Sequence, residues 1–180
     1  MSRKLTTRQH AVKSRTKPAR TPSPERTPAG DALSGLIIQI LQLHGLLTAA
    51  GDALAAPAGQ TAARWHLLAA VDEEPHSVAD IARGMNLARQ SVQRVADLLE
   101  EDGLAVFEEN PAHQRAKLLR LTPQGRAALG EIQAAQRVWV DGLAAGLGEA
   151  NCRRASALLE SLKEALLAQA TPEESAAVSR

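Results

Sequence analysis

The side chains best suited to chemistry lie in one short segment of the chain. This segment supplies guanidinium, carboxamide and hydroxyl groups and no carboxylate, from Arg89, Gln90, Ser91, Gln93 and Arg94. Arginine can donate two hydrogen bonds to guanine, glutamine can pair with adenine, and serine can reach a base or a phosphate. A helix that presented these groups on one face could therefore enter the major groove of double-stranded DNA. The alternative is an ordinary solvated helix face.

The flanking pattern predicts that two crossed helices position this segment. A preceding helix, which Thr61 can cap, is expected to end near Val71. Ser77 is expected to open a short helix over 79–85, and a longer helix is expected from about Ala88 to Glu101, with Asp102-Gly103 as its stop. Between them Gly84 or Asn86 can adopt the left-handed conformation of a tight turn. The apolar residues Leu87, Val92, Val95, Leu98 and Leu99 are expected to point inward. This is the pattern of a helix-turn-helix.

A short β-hairpin is predicted directly after the second helix. Its first strand is Leu104 to Glu108, its tip spans 109–114, and its return strand runs from Arg115 to Leu121. In the return strand Lys117, Leu119 and Leu121 alternate with Leu118 and Arg120. Such a hairpin behind a helix-turn-helix forms a wing. It would add Arg115 and Lys117 to the candidate DNA-binding residues.

Composition limits the other classes of protein. The chain has 180 residues, of which 44% are hydrophobic and only 2% aromatic, which favours packed helices over a β-sandwich. The single Cys152 excludes an intramolecular disulfide and a cysteine-rich zinc site. No glycine-rich phosphate loop, metal-ligand cluster or nucleophile motif is present, so we expect no enzyme, no metal and no cofactor. No apolar run approaches the roughly 20 residues that cross a bilayer, so a cytoplasmic protein without a membrane partner is expected.

Charge divides the chain into a basic arm and an acidic body. Residues 1–30 hold eight Lys and Arg against one acid and carry +7, whereas the other 150 residues hold 13 bases and 19 acids and carry −6. The arm is rich in Pro, Ser and Thr, so disorder is expected there and also in a short tail at 171–180. An arm of this kind can follow nucleic-acid phosphates. The alternative is an extension that only improves solubility.

Long apolar helices are predicted at both ends of the winged segment. One covers 31–56, with Asp31 as its cap, and the others cover 122–170, where Thr122-Pro123 opens one helix and Asn151 caps the last. Their apolar residues exceed what a winged domain over 57–121 can cover. A two-fold homodimer would bury this surplus, whereas an intrachain helical bundle is the alternative.

The sequence between residues 61 and 126 resembles the MarR family of bacterial regulators. The matching stretches are Thr61–Leu68, Val78–Ala82, Ser91–Glu100, Gly103–Leu104, Arg115–Ala116 and Leu121–Gly125. The resemblance implies a mainly helical, winged helix-turn-helix dimer that binds a pseudo-palindromic operator. Such regulators are commonly repressors, released by a small aromatic or amphipathic ligand. Arg94 and the helix residues before it would contact bases and phosphates, and Arg115 would enter the minor groove from the wing.

The wing departs from the family pattern. The family's Asp-x-Arg is replaced by His113-Gln114-Arg115, and Phe107-Glu108-Glu109 stands where bases are usual. From Thr61 to Arg126 there are eight bases and ten acids, a balance of −2. Because phosphate neutralisation supplies much of the affinity for DNA, we expect the +7 arm to provide part of the missing attraction.

The family places a ligand crevice between the dimer helices and the winged domain. The candidate residues there are His44, Arg64, Trp65, His66 and Trp139, since an apolar wall with a few polar groups suits a small organic acid. The alternative is that the tryptophans belong to the core and the histidines to the helix surface. A different function also stays open, because the acidic end of the second helix suits a winged-helix module that binds a protein instead of specific DNA.

Overall fold

The chain is mainly helical, with one small antiparallel sheet. The computed structural model describes residues 26–113 and 115–177, with 170–177 described by backbone alone. Its elements in chain order are α1 (Pro28–Ala55), a 3₁₀ turn (Ala56–Ala58), α2 (Ala62–Ala70), β1 (His76–Ser77), α3 (Val78–Gly84), α4 (Arg89–Glu101), β2 (Ala105–Glu108), β3 (Leu118–Leu121), α5 (Pro123–Leu147) and α6 (Glu149–Ala177). The predicted fold class, helices with a β-hairpin wing, is confirmed. The chain divides into two compact units, Met1–Gln42 and Leu43–Arg180.

The described part of the first unit is the beginning of helix α1. The Thr27 hydroxyl accepts a hydrogen bond from the Gly30 amide at 3.1 Å, and the Asp31 amide donates to the Thr27 carbonyl. Thr27 therefore caps the helix, and the prediction that Asp31 does so is wrong. Pro28 is favourable in a first turn because its fixed φ suits a helix, so the helix begins before the predicted boundary at residue 31. The rest of the predicted arm, residues 1–25, lies outside the described residues.

Helix α1 is more apolar than the sequence analysis allowed. Among the residues that the structure describes, Pro28–Ala58 is the one helical segment long and apolar enough to cross a membrane by length and composition, with a mean hydropathy of 1.5. The expectation that no such segment exists is therefore wrong. Asp31, His44 and Asp52 divide the apolar sequence of this helix into shorter runs, but they do not lower its mean hydropathy much. An apolar helix covered by another protein surface has the same composition.

In the second unit, the core lies between helices α2–α5 and the sheet. Its least exposed large side chains are Leu68, Leu99, Leu119, Leu121 and Leu129, each no more than 1% exposed. Strand β3 pairs with β1 on one side and β2 on the other, with Leu119 opposite His76 and Phe107. The predicted alternation is confirmed within β3, where Leu119 and Leu121 are buried while Arg120 is exposed. The strand begins at Leu118 and not at Arg115, and Lys117, predicted on the same face as Leu119, is exposed. Strand β1 was not predicted, since two residues are too few to show a period.

Hydroxyl caps begin three helices of this unit where the sequence predicts them. Thr61, Ser77 and Thr122 accept hydrogen bonds from the amides of Arg64, Asp80 and Gly125 at the starts of α2, α3 and α5. The predicted cap at Asn151 is wrong, because α6 begins at Glu149 and Asn151 Nδ2 donates to the Leu147 carbonyl. The backbone of α6 also stays helical to Ala177, past the end predicted near Thr171, since helix-favouring Glu and Ala residues follow Pro172.

Gly125 lets helix α5 approach the backbone that leaves helix α4. A Cβ at this position would lie 1.9 Å from the Leu104 carbonyl oxygen and 2.9 Å from its carbon. Thr122 strengthens the same junction, since its hydroxyl donates to the Gly103 carbonyl at 2.7 Å. The close approach therefore requires glycine, because the atoms that would have to move belong to the backbone.

We expect Gly125→Ala to lower the free energy of unfolding by about 3 kcal/mol, the upper range for overpacking a tight site. Gly130→Ala in the same helix is the matched control, since the added Cβ would have no atom within 4 Å beyond the helix's own backbone and the two adjacent residues. This control should raise stability by up to about 1 kcal/mol through helix propensity. Urea unfolding of both variants measures the difference, and equal stability of the two would contradict the proposed close approach.

Candidate nucleic-acid interface

Helices α3 and α4 form the predicted helix-turn-helix. Asn86, with φ of 52°, makes the turn, and the Leu87 amide donates to the Ala82 carbonyl at 2.9 Å. Val92, Ala96 and Leu99 bury one face of α4. Two predicted inward residues are wrong, because Leu87 is 51% and Leu98 41% exposed. Ala96, which the sequence analysis did not name, is fully buried in their place because it follows Val92 by one helical turn.

The start of α3 is fixed by a small polar group. The Ser77 hydroxyl donates to Asp80 Oδ2 at 2.6 Å, and Arg83 Nη1 donates to Asp80 Oδ1 at 2.9 Å. The hydrogen bond from Ser77, followed by that from Arg83, holds the pKa of Asp80 below its ordinary value. The first helix of the motif thus keeps an ionised carboxylate near its N-terminus, where the helix dipole favours negative charge.

The predicted DNA-binding side chains lie at the surface on α4 and the wing. Arg89, Gln90, Ser91, Arg94, Arg115 and Lys117 are exposed, and Gln93 is half-buried. A groove of about 400 Å³ between α4 and the wing is lined by four of them, Arg89, Gln93, Arg115 and Lys117, together with Asp97 and Glu100. Arg94 and Gln90 do not line this groove. Ser91 lines a different cavity, on the side of α4 that faces α2.

Hydrogen bonds and one ion pair order the wing, although the Asp-x-Arg pattern is absent from its tip. Arg120 Nε donates to Glu108 Oε2 at 2.7 Å across the two strands. At the tip Asn110 Oδ1 accepts from the Ala112 amide at 3.0 Å, and the His113 amide donates to the Asn110 carbonyl. The Phe107 amide donates to Glu100 Oε1 at 3.3 Å, which joins the wing to α4. The departures of the wing from the family pattern therefore leave a hairpin that its own contacts support.

The eight cations between Thr61 and Arg126 fall into two groups. Four of them form ion pairs within the described residues: Arg64 with Asp102, Arg83 with Asp80, Arg120 with Glu108, and Arg126 with Asp72. The other four have no ion-pair partner anywhere in the part of the chain that the structure describes: Arg89, Arg94, Arg115 and Lys117. These are the four cations among the predicted DNA-binding residues. The excess of acids in this region therefore coexists with four cations that remain available to phosphate.

A second cavity, of about 270 Å³, contains two of the predicted ligand-binding residues. His44 and His66 line it, with Leu67, Met85 and Val95 among its apolar walls. Of the other candidates, Arg64, Trp65 and Trp139 are not among the described residues that line it. The Trp65 ring packs against the core and lies 5.6 Å from the His66 ring, centroid to centroid. Trp139 is half-buried on α5.

Arg64 has a structural partner that the sequence did not reveal. Its Nη2 donates to Asp102 Oδ2 at the end of α4 and to the Leu98 carbonyl at 3.4 Å. The side chain is only 17% exposed. Arg64 thus ties α2 to the C-terminal end of the helix that carries the candidate DNA-binding residues. No local signal could have indicated this pair, because its members are 38 residues apart.

The fold and this surface define a winged helix-turn-helix protein. The MarR family model matches residues 58–116. An uncharacterised protein of Mycobacterium tuberculosis is 41% identical over 102 residues, which cover 57% of this chain and 71% of that protein. The chain belongs to the MarR family, whose members are transcription regulators.

Two solved structures with the same fold contain DNA. The M. tuberculosis transcriptional regulator MOSR in complex with DNA is 25% identical, with a TM-score of 0.61 over 72% of this chain and 96% of that one. The transcriptional repressor CouR, bound to a 23-mer DNA duplex, is 25% identical, with a TM-score of 0.64 over 78% of this chain and 99% of that one. The fold of this chain is thus similar to that of regulators seen on DNA.

Arg64→Met should lower the free energy of unfolding by about 1 kcal/mol, because it removes a mostly buried donor from the end of α4. The value is modest because the side chain of Asp102 is 52% exposed and water partly screens the pair. Arg153→Met is the control, since its pair with Glu149 is exposed on both sides and its loss should change stability by under about 0.5 kcal/mol. Urea unfolding of both variants makes the comparison. Equal losses would show that Arg64 does not support α4.

Proposed function

We propose that the protein is a sequence-specific, double-stranded DNA-binding transcriptional regulator, and that Arg89, Arg94, Arg115 and Lys117 supply its cationic contacts. The observation that carries the proposal is the division of the cations. Internal acids compensate Arg64, Arg83, Arg120 and Arg126, whereas the four cations on α4 and the wing have no such partner in the described ranges. Binding to DNA exchanges the counterions around phosphates for cations of this kind.

Base recognition is assigned to the beginning of α4. Arg89, Gln90, Gln93 and Arg94 supply donors and acceptors that match base edges in the major groove, and Ser91 can reach a base or a phosphate. The later turns of the helix carry Asp97, Glu100 and Glu101, which phosphates would repel. The proposal therefore places only the first two turns of α4 in the groove. Arg115 would then reach the minor groove, and Lys117 the backbone.

A homodimer is the proposed state of the regulator. In the second unit large apolar side chains are exposed on several helices, including Leu46 at 69%, Val138 at 76%, Leu147 at 60% and Leu158 at 57%. Exposed apolar residues on this scale favour burial against a second copy of the chain. Two-fold symmetry would place two recognition helices about 34 Å apart, one turn of DNA, and would match a pseudo-palindromic operator. Repression is the proposed mode, since a bound dimer can exclude the transcription machinery.

A small organic effector is proposed for the cavity that His44 and His66 line. Its volume of about 270 Å³ suits a small aromatic molecule, and its remaining walls are largely apolar. Ser91, Val92 and Val95 of α4 also line it, so a ligand there would touch the helix that contacts DNA. The proposed consequence is release of the operator when the ligand binds. The basic N-terminal arm is proposed to add attraction for phosphates, and the cytoplasm is the proposed location.

The test begins with selection of bound fragments from random duplex DNA by the full chain. We expect a consensus with two-fold symmetry. Arg94→Ala should then weaken binding to that site by about 1 to 3 kcal/mol, because a direct groove contact is lost. Arg126→Ala is the matched control, since Arg126 is also exposed but is paired with Asp72 Oδ1 at 3.0 Å, and it should change affinity less than about twofold.

The two variants also separate the proposed function from its competitor. A winged-helix module that binds a protein would enrich no duplex sequence. If the selection returns no consensus, or if Arg94→Ala and Arg126→Ala have equal effects on a site that it does return, the proposed surface is wrong.

A further inference from the structure

Gln93 is the one predicted base-contacting residue whose side chain already has a partner among the described residues. Its Nε2 donates to Asp97 Oδ1 at 2.7 Å, one helical turn farther along α4. The side chain is half-buried and lines the groove between α4 and the wing, as does Asp97. The carboxamide is therefore not a freely rotating group on an open surface.

The chemistry of this contact fixes the direction of the amide. An ionised carboxylate only accepts hydrogen bonds, so Gln93 must turn its NH₂ group toward Asp97. Because the amide is planar, its Oε1 then points away from the carboxylate. In the major groove, a carbonyl oxygen can accept only from the exocyclic amino groups of adenine and cytosine, whereas guanine and thymine present acceptors at the corresponding edges.

We propose that Asp97 is a specificity-determining residue, which positions the Gln93 carboxamide so that its oxygen selects a base with an amino group, adenine or cytosine. The proposal rests on the proposed function, since it concerns how the same helix selects its site. Asp97 itself touches no base in this account. Its carboxylate acts through Gln93. Its negative charge also weakens the attraction of the domain for DNA of any sequence.

The neighbouring acids of α4 differ from Asp97 in their partners. Glu100 accepts a hydrogen bond from the Phe107 amide of the wing, so it joins two elements of the domain. The Glu101 side chain is exposed and has no hydrogen-bond or ion-pair partner within the described ranges. Glu101 therefore provides a control for loss of one negative charge from the same end of the same helix.

The experiment measures discrimination among the four bases at one position of the selected site. Full-length Gln93→Ala first identifies that position, as the one where its relative affinities for the four duplexes become more equal. Asp97→Ala should then reduce discrimination at the same position about two- to fivefold, the range expected for a charge-assisted pair one turn apart on a helix. Asp97→Glu keeps a carboxylate, which only accepts hydrogen bonds, and should retain the discrimination. Glu101→Ala should raise affinity for all four duplexes equally.

Each outcome bears on the proposal. Loss with Asp97→Ala and retention with Asp97→Glu support it. Unchanged discrimination in Asp97→Ala overturns it, as does a uniform gain in affinity that Glu101→Ala reproduces, because the effect is then one of charge alone. A selected consensus at which Gln93→Ala relaxes no position also overturns it and leaves the proposed function intact. If the selection returns no consensus, both the proposed function and the proposed role of Asp97 are wrong.

Discussion

Compensation of charge inside the winged domain is the constraint on which its surface depends. The region from Thr61 to Arg126 has more acids than bases, so its net charge opposes binding to DNA. Four acids are held against cations by the folded chain, and three of these pairs join residues distant in sequence: Arg64 with Asp102, Arg120 with Glu108, and Arg126 with Asp72. The first turns of α4 and the wing then keep four cations without an internal ion pair, while Asp97, Glu100 and Glu101 lie farther along α4. Exposed pairs of this kind stabilise a fold only slightly, and their main effect is on where the free charge lies.

The backbone junctions around α4 determine where the cations of α4 and the wing lie. Ser77 begins α3, Asn86 makes the turn, and Gly125 allows α5 to lie against the Leu104 carbonyl as the chain enters the wing. Each of these groups fixes a different junction of the chain near α4. Together with Arg64 at its far end, they hold α4 in one orientation relative to the wing. A groove lined by residues from both elements can form only if that orientation is kept.

Local sequence was sufficient for much of the fold. The caps at Thr61, Ser77 and Thr122 were predicted because a hydroxyl three residues before an apolar stripe acts within one turn of helix. The errors arose where the deciding contact is not local or where two local signals compete. Thr27 outcompetes Asp31 because Pro28 suits the first turn, and strand β1 exists only because β3 pairs with it. Leu87 and Leu98 follow an apolar pattern but remain exposed. Their burial was wrongly predicted because an apolar pattern alone does not distinguish a core residue from one on a surface that another partner covers.

The candidate site shows the same limit. The types and spacing of the residues on α4 predicted which side chains lie at the surface, but not that Asp97 holds Gln93 or that Arg64 is committed to Asp102. The most direct test of this division between ion-paired and unpaired cations is nitrogen-15 NMR of the arginine side chains during titration with the selected duplex. The account predicts that the Nε–H signals of Arg89, Arg94 and Arg115 shift or broaden, while those of Arg64, Arg83, Arg120 and Arg126 keep their positions. Movement of the ion-paired arginines with little change in the other three would contradict it.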